Sequence, residues 1–302
     1  MSVQRIAAIG EAMIELSLDT HDTGTAQIGV AGDTLNTAIY LKRRAPQIDV
    51  SFVTCLGDDA LSDRIQHAIA AERISTELIG RIKGRSAGLY AISTDANGER
   101  SFSYWREASA ARAMFDGHAP ALNDLADFDV LYLSAITLAI LSPAARESLR
   151  NWLAGYRARG GQVAFDSNYR PSLWCDGETA RREIAALWQL TDIALPSLED
   201  EQALFGDTDA AAVIARLRDA GCSRGALKCG AAGPIPLDGQ ITGITFPSAS
   251  IVIDTTAAGD SFNGGYLAAL LAGQSHNDCL IAGHSLAIEV LGVKGAILPA
   301  QR

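Results

Sequence analysis

The feature that most constrains this chain is an alternation of short, wholly apolar runs with longer segments whose apolar residues return every three or four positions. The runs are VLYLSAI (Val130 to Ile136), QVAFDSN (Gln162 to Asn168), DIALPSL (Asp192 to Leu198) and GALKCG (Gly225 to Gly230). Between them lie SPAARESLRNWLAGYRARGG, GETARREIAALWQLT and DTDAAAVIARLRDAGC. Apolar strands separated by amphipathic helices predict an α/β fold, with a mostly parallel central sheet covered by helices on both faces. Such sheets place their chemistry beyond the carboxyl ends of the strands. At 302 residues, one large domain over 1–302 is expected in place of two.

Two regions break the rhythm. Residues from about 11 to 31 and from about 86 to 106 alternate apolar and polar positions, and the second carries Asn97-Gly98 between two β-rich runs, a hairpin signal. Both are expected to form a small antiparallel flap over the α/β body. The formal net charge of -10 opposes non-specific attraction to nucleic acid or to an anionic membrane surface, so a small molecule is the expected partner. No run approaches the length of a membrane span. Five scattered cysteines without a CxxC pair fit reduced thiols in a cytosol better than disulfides or zinc. The five histidines show no HExxH or other metal spacing, and no metal ligands are assigned. GxxxxGK[ST], strict GxGxxG and GxSxG patterns are likewise missing, which disfavours a P-loop nucleoside triphosphatase, a dinucleotide-binding dehydrogenase and an α/β-hydrolase.

The stretch DTTAAGDSFNGGY, Asp254 to Tyr266, follows the apolar run Ile251 to Ile253, which is expected to form a strand, and leads into the helical YLAALLAG. Its small residues Ala257, Ala258 and Gly259 would let backbone N–H groups at a helix N-terminus approach an anion, with phosphate the natural guest. Asp260 beside them suits a general base for phosphoryl transfer, which asks a protein mainly for positioning, charge stabilisation and a proton acceptor. An aspartate so placed can equally be an N-cap. VAGDTLNTAIYLKR offers Gly32, Asp33 and Asn36 at the start of a second helix, where a glycine turn with an Asx cap is the plainer alternative. LKCGAAG, with Lys228, Gly230 and Gly233, is by itself an ordinary strand-to-turn sequence.

Taken together and in this order, these segments resemble the ribokinase or PfkB family of carbohydrate kinases. DTTAAGD is similar to that family's DTxGAGD signature, with Ala257 where glycine is usual, and VAGDTLN to its GGxxxN segment, with Ala31 at the first glycine. The resemblance implies a ribokinase-like fold, Asp260 as the base, and the backbone of Ala257, Ala258 and Gly259 as an anion hole. A left-handed backbone at Ala257 would be strained. The resemblance also implies that Lys228, Cys229, Gly230, Ala231, Ala232 and Gly233 border ATP, and that Mg2+ travels mainly with the nucleotide. Ser197 to Asp200, SLED, stands where the family usually has NxxE.

The stretches GEAMIELS, GDTLNTA, GLYAISTDANGERSFSYWREASAA, LYLSAITLAILSP and FDSNYRPSLW resemble the branch of that family that phosphorylates 2-keto-3-deoxygluconate, a likeness that runs from about residue 6 to residue 299. It implies that Gly32, Asp33, Thr34, Leu35, Asn36, Tyr90, Tyr104, Trp105, Arg106 and Arg170 hold a sugar acid, with Asn168, Tyr169 and Arg170 near the nucleotide phosphates. Arginines beside aromatic residues suit a carboxylate, which a guanidinium grips with two hydrogen bonds. Surface packing at YWR and a turn at NYRP are the bland alternatives. A kinase for fructose or for the galacto epimer, and a sensor that binds without transfer, remain open beside this expectation. Exposed flap edges make a homo-oligomer, with a dimer as its simplest form, a further expectation.

Overall fold

Strand β1 (Arg5–Ile9) alternates its side chains between two apolar cores: Ile6 and Ala8 pack on one face of the sheet, Ala7 and Ile9 on the other. The computed structural model describes residues 4–18, 25–94, 100–239 and 243–299. After β1 the chain forms β2 (Met13–Leu18) and β3 (Ala26–Ala31), then returns through helix α1 (Asp33–Arg44) to β4 (Asp49–Leu56). Helix α2 (Ala60–Ala71) leads to β5 (Ile79–Arg81), and a second excursion supplies β6 (Gly88–Thr94) and β7 (Arg100–Trp105). The alternation then runs β8 (Val130–Ser134), α3 (Ala135–Ile140), α4 (Pro143–Ala158), β9 (Gln162–Asp166), α5 (Gly177–Trp188) and β10 (Ile193–Ala194). It continues with α6 (Leu198–Phe205), α7 (Ala210–Asp219), β11 (Ala226–Lys228) and β12 (Pro234–Pro236), and ends in α8 (Ala258–Leu271) and α9 (His276–Leu291).

Six strands form the central sheet in the order β10-β9-β8-β1-β4-β5, and every ladder in it is parallel. Leu149, Leu153, Ile184, Val213 and Leu217 from α4, α5 and α7 fill the core on one face. Leu35, Ile39, Ile65, Phe262, Leu267 and Leu280 from α1, α2, α8 and α9 fill the other. Burial on both faces is why the strands are apolar without alternation. The carboxyl ends of β1, β8, β9 and β11 deliver Glu11, Ser134, Asp166 and Lys228 to one edge of the body.

The small sheet has the order β3-β2-β6-β7. Its two hairpins, β2–β3 and β6–β7, are antiparallel as expected, and they meet along a parallel β2–β6 ladder. The Asn97-Gly98 turn lies outside the described residues. One sequence expectation fails: Ile251 to Ile253 is not a strand, because no strand among the described residues pairs with it and its side chains stand exposed. Among the described residues no helix is long and apolar enough to cross a membrane.

Candidate active site

Helix α8 meets its neighbours at unusually short range, and Gly264 and Gly265 are the reason. A Cβ on Gly264 would lie 2.6 Å from Tyr40 Cβ and 2.9 Å from the Thr37 carbonyl of α1; on Gly265 it would lie 2.6 Å from the Ala282 carbonyl of α9. Asp260 stands one turn before Gly264 on the same face, so the close crossing brings it onto α1. Asn36 Nδ2 donates to Asp260 Oδ2 at 2.8 Å, and Thr37 Oγ1 donates to the Asp260 carbonyl at 3.1 Å. Asp260 is therefore not the N-cap of α8: that position is Ala257, whose φ of 61° and ψ of 14° are left-handed. The strain anticipated for an alanine there is present.

Carboxylates crowd around this point. Burial pushes the Asp260 carboxyl up to about 8, reinforced by the charges of Asp33 and Asp166 and opposed by the Asn36 hydrogen bond and by Lys228. The Asp33 carboxyl is raised chiefly by burial. Ser134 Oγ donates to Asp33 Oδ2, and Asn168 Nδ2 donates to the same oxygen at 3.0 Å. Asn168 thus faces the Asp33 side of the cleft.

Asp166 is the hub of the opposite wall. Its Oδ2 accepts from Lys228 Nζ at 2.8 Å and from Asn263 Nδ2 at 2.6 Å, while its Oδ1 accepts from the Asn168 backbone N–H at 3.1 Å. Asn263 also donates to Tyr132 Oη at 3.0 Å, and Tyr132 Oη lies 3.1 Å from Thr37 Oγ1. Lys228 reaches the mouth of the α8 turn, since a Cβ on Gly259 would lie 3.7 Å from its Nζ. Beyond Lys228 the chain turns at Gly230 and Gly233, where φ is 54° and 84°, and a Cβ on Gly233 would meet Phe246 at 2.7 Å. Ala231 and Ala232 are exposed on this turn, and Cys229 is half-buried.

On the flap side, Tyr90 and Tyr104 are paired across β6 and β7 with ring centroids 5.7 Å apart, and Tyr90 Oη donates to Glu15. Arg106 donates through Nη2 to Glu11 in an ion pair whose side chains are 7% and 1% exposed. Trp105 does not share this arrangement: strand alternation turns it to the face opposite Tyr104, and it is 58% exposed. Thr34 and Leu35 are corrected likewise. Helical periodicity sends the Leu35 side chain into the apolar core and Thr34 against Gly10, leaving Asp33 and Asn36 to face the cleft. Gly32 sits at the N-cap of α1 in extended backbone; a Cβ there would fall 2.1 Å from the Glu11 carbonyl, so close approach demands the glycine.

Arg170 is exposed, donates to the Tyr169 carbonyl at 3.0 Å and lies 3.7 Å from Asp200 Oδ1; Tyr169 itself packs on the core. Burial pushes the Asp200 carboxyl up to about 6, with Asp166 adding to the rise and Arg170 and Lys228 opposing it. Asp200 of SLED thus shares the field of this wall. Sequence reasoning passed over Glu11, Thr37, Tyr132, Ser134, Asp166 and Asn263. Asn263 carried a signal, because it stands three residues after Asp260 on one helix face, and Asp166 and Ser134 carried one as polar residues ending apolar strands. Among the described residues no three His, Cys, Asp or Glu side chains converge to hold a metal ion.

A family model described as pfkB family carbohydrate kinase matches residues 3–302. The chain is 43% identical to the 2-dehydro-3-deoxygluconokinase of Escherichia coli strain K12, covering 99% of this chain and 98% of that one. It is 42% identical to the enzyme of the same name from Dickeya dadantii, over 100% and 99%. In three dimensions it is similar to aminoimidazole riboside kinase from Salmonella enterica, solved with aminoimidazole riboside and an ATP analogue. The TM-score is 0.81 at 24% identity, covering 97% of this chain and 95% of that one.

Proposed function

The chain belongs to the pfkB family of carbohydrate kinases, and from that membership we propose that it transfers the γ-phosphoryl group of ATP to the terminal hydroxyl of 2-keto-3-deoxy-D-gluconate. The product is the 6-phospho compound. The full-length likeness to relatives named 2-dehydro-3-deoxygluconokinase, the same sugar acid, supports the substrate. The observation that carries the chemistry is the juxtaposition of Asp260, in a site that raises its proton affinity, with the open first turn of α8.

Asp260 takes the proton of the attacking hydroxyl as that oxygen bonds to the γ-phosphorus. The bond from phosphorus to the bridging oxygen breaks, and ADP leaves with the electron pair. Backbone N–H groups from Ala257 to Asp260 receive the charge that spreads over the transferring group. Asn36 orients the base through its 2.8 Å hydrogen bond. Asp33 and Asn36, with Tyr90, Tyr104, Arg106 and Arg170, form the acceptor side; Asn168 lies between the two sides; Lys228 to Gly233 border the nucleotide. Mg2+ would travel with the phosphates of ATP, where it would neutralise part of their charge. The flap closes over the acceptor and excludes water, which would otherwise compete for the phosphoryl group.

ADP release is measured with Mg2+ and ATP while 2-keto-3-deoxygluconate, its galacto epimer, gluconate, fructose and ribose are offered in parallel. Saturable turnover confined to the keto-acids is expected; turnover with fructose or ribose alone overturns the acceptor assignment. Asp260→Asn should lower kcat by about a hundredfold to ten-thousandfold and leave acceptor binding within a few fold. The small sheet ends in the edge strands β3 and β7, which suit pairing with a second copy; a monomer by light scattering at micromolar concentration counts against that dimer.

A further inference from the structure

We infer that Asp166 is the positioning residue that holds the Lys228 ammonium beside the α8 turn, where the transferred phosphoryl group develops its charge. The inference rests on the proposed kinase reading and assigns a role to a residue that reading does not use. Three observations carry it. Asp166 is 2% exposed, and its Oδ2 takes both Lys228 Nζ, at 2.8 Å, and Asn263 Nδ2, at 2.6 Å. Asn263 Oδ1 in turn accepts from Lys228 Nζ at 3.2 Å, so the ammonium is gripped by two acceptors that are themselves hydrogen-bonded to each other. The gripped ammonium lies 3.7 Å from where a Gly259 side chain would begin, beside the backbone of the anion-binding turn.

The physical argument is one of reach and freedom. A lysine ammonium on a four-carbon stem samples many rotamers and is strongly hydrated. A cation stabilises developing charge most when it is already in place and out of water, so that nothing has to reorganise during the reaction. Fixed between Asp166 and Asn263, Lys228 meets that condition and retains an N–H donor for a phosphoryl oxygen. The clamp also spans the cleft. Through Asn263, Tyr132 and Thr37 it reaches the carbonyl of Asp260, and through Asn168 it reaches Asp33. The base and the cation are thus parts of one hydrogen-bonded frame.

The test compares turnover with ATP and with its γ-thio analogue in the full-length protein, using whichever acceptor of the panel the wild type phosphorylates. A wild type that used fructose alone would sink the substrate assignment and leave this test intact. The ratio of the two rates reports contacts to the γ-phosphoryl oxygens, and a loss of folded fraction does not change it. Asp166→Asn, Lys228→Met and the double variant are each expected to lose tenfold or more in kcat, with acceptor KM within threefold. All three should show the same altered thio ratio, and the double variant should be no worse than the poorer single one. A wild-type ratio in Asp166→Asn, or losses that multiply in the double variant, would overturn the inference. Lys228→Arg provides a second check, because it keeps a cation on Asp166 but reseats it. It should fold as the wild type does and still show an altered ratio; an unchanged kcat and ratio would refute the placement of Lys228.

Discussion

Glu11→Gln tests whether the flap arginine is held by the buried ion pair. Water barely reaches either partner, at 1% and 7% exposure, and among the described residues Arg106 Nε and Glu11 Oε1 have no hydrogen-bond partner. Gly88 leaves room for the pair, since a Cβ there would lie 2.6 Å from Glu11 Oε1. Removing one charge from a buried pair costs about 3–5 kcal/mol, because the other charge is left without compensation. Glutamine keeps an oxygen that can accept from Nη2, which recovers about 1 kcal/mol, so the net loss is about 2–4 kcal/mol. Against a total of about 5–15 kcal/mol for a folded protein, such a loss is readily measured. Urea unfolding at neutral pH should show a lower midpoint with an unchanged slope. The control is Glu11→Leu with Arg106→Met, in which apolar groups replace both charges; this double variant should be more stable than either of its single changes. A Glu11→Gln loss below about 0.5 kcal/mol, or a double variant whose loss is the sum of its singles, would refute the reasoning.

Ala257→Gly should raise stability by up to about 1 kcal/mol, because relief of the left-handed strain outweighs the added freedom of the unfolded chain. The backbone N–H remains, so kcat should hold; a fall in melting temperature would contradict the φ of 61° at this position. Gly264→Ala should cost about 1–3 kcal/mol and also lower kcat, because its Cβ would press on Tyr40 and on the Thr37 carbonyl and move Asn36 off the base; a loss of stability with full turnover would separate the crossing from the chemistry. In the free enzyme kcat/KM should rise with pH as Asp260 ionises, with its midpoint near the value of about 8 to which the site pushes it. The same shift sets a stability trend. Between the ordinary value of 3.8 and about 8 the folded state binds the proton more tightly than the unfolded state, so this group's contribution to stability falls as pH rises through that window. Asp260→Asn should therefore raise the melting temperature more at pH 9 than at pH 5, and an equal change at both would refute the shift.

The architecture was legible where periodicity governs it. Leu149, Leu153 and Tyr156 on α4 and Ile184 and Leu187 on α5 form the core faces that their spacing implies. The run Ile251 to Ile253 misled because apolar composition alone cannot supply a partner strand, and none among the described residues pairs with it. At the site, Asp260 and Asn36 were legible because each stands among small residues at the start of a helix. Asp166 and Asn263 carried only the signal of their own positions, because a hub is defined by what converges on it, and Lys228, Tyr132 and Asn168 reach this one from β11, β8 and the turn after β9. Trp105 was misplaced beside Tyr104 for a simpler reason: neighbours in a strand face opposite ways, so adjacency in YWR says nothing about a shared ligand.

The crowd of acids in the cleft has a consequence for how the nucleotide must arrive. Asp33, Asp166, Asp200 and Asp260 face one space, while Arg106 is matched by Glu11 and Arg170 lies near Asp200. Lys228 is matched by Asp166, so the cleft carries an excess of negative charge where, on the proposed reading, two anionic substrates meet. Burial is the main cause of the raised proton affinity of Asp260, and this excess reinforces it, which suits the group to accept a proton near neutral pH. The same excess repels a bare triphosphate. On the proposed kinase reading the nucleotide is therefore expected to arrive with its own cations, as the Mg2+ complex in place of free ATP. The excess contributes to both effects, so neutralising Asp33 should weaken both: the acid limb of the pH profile should move to lower pH as the Mg2+ needed for half-maximal turnover falls.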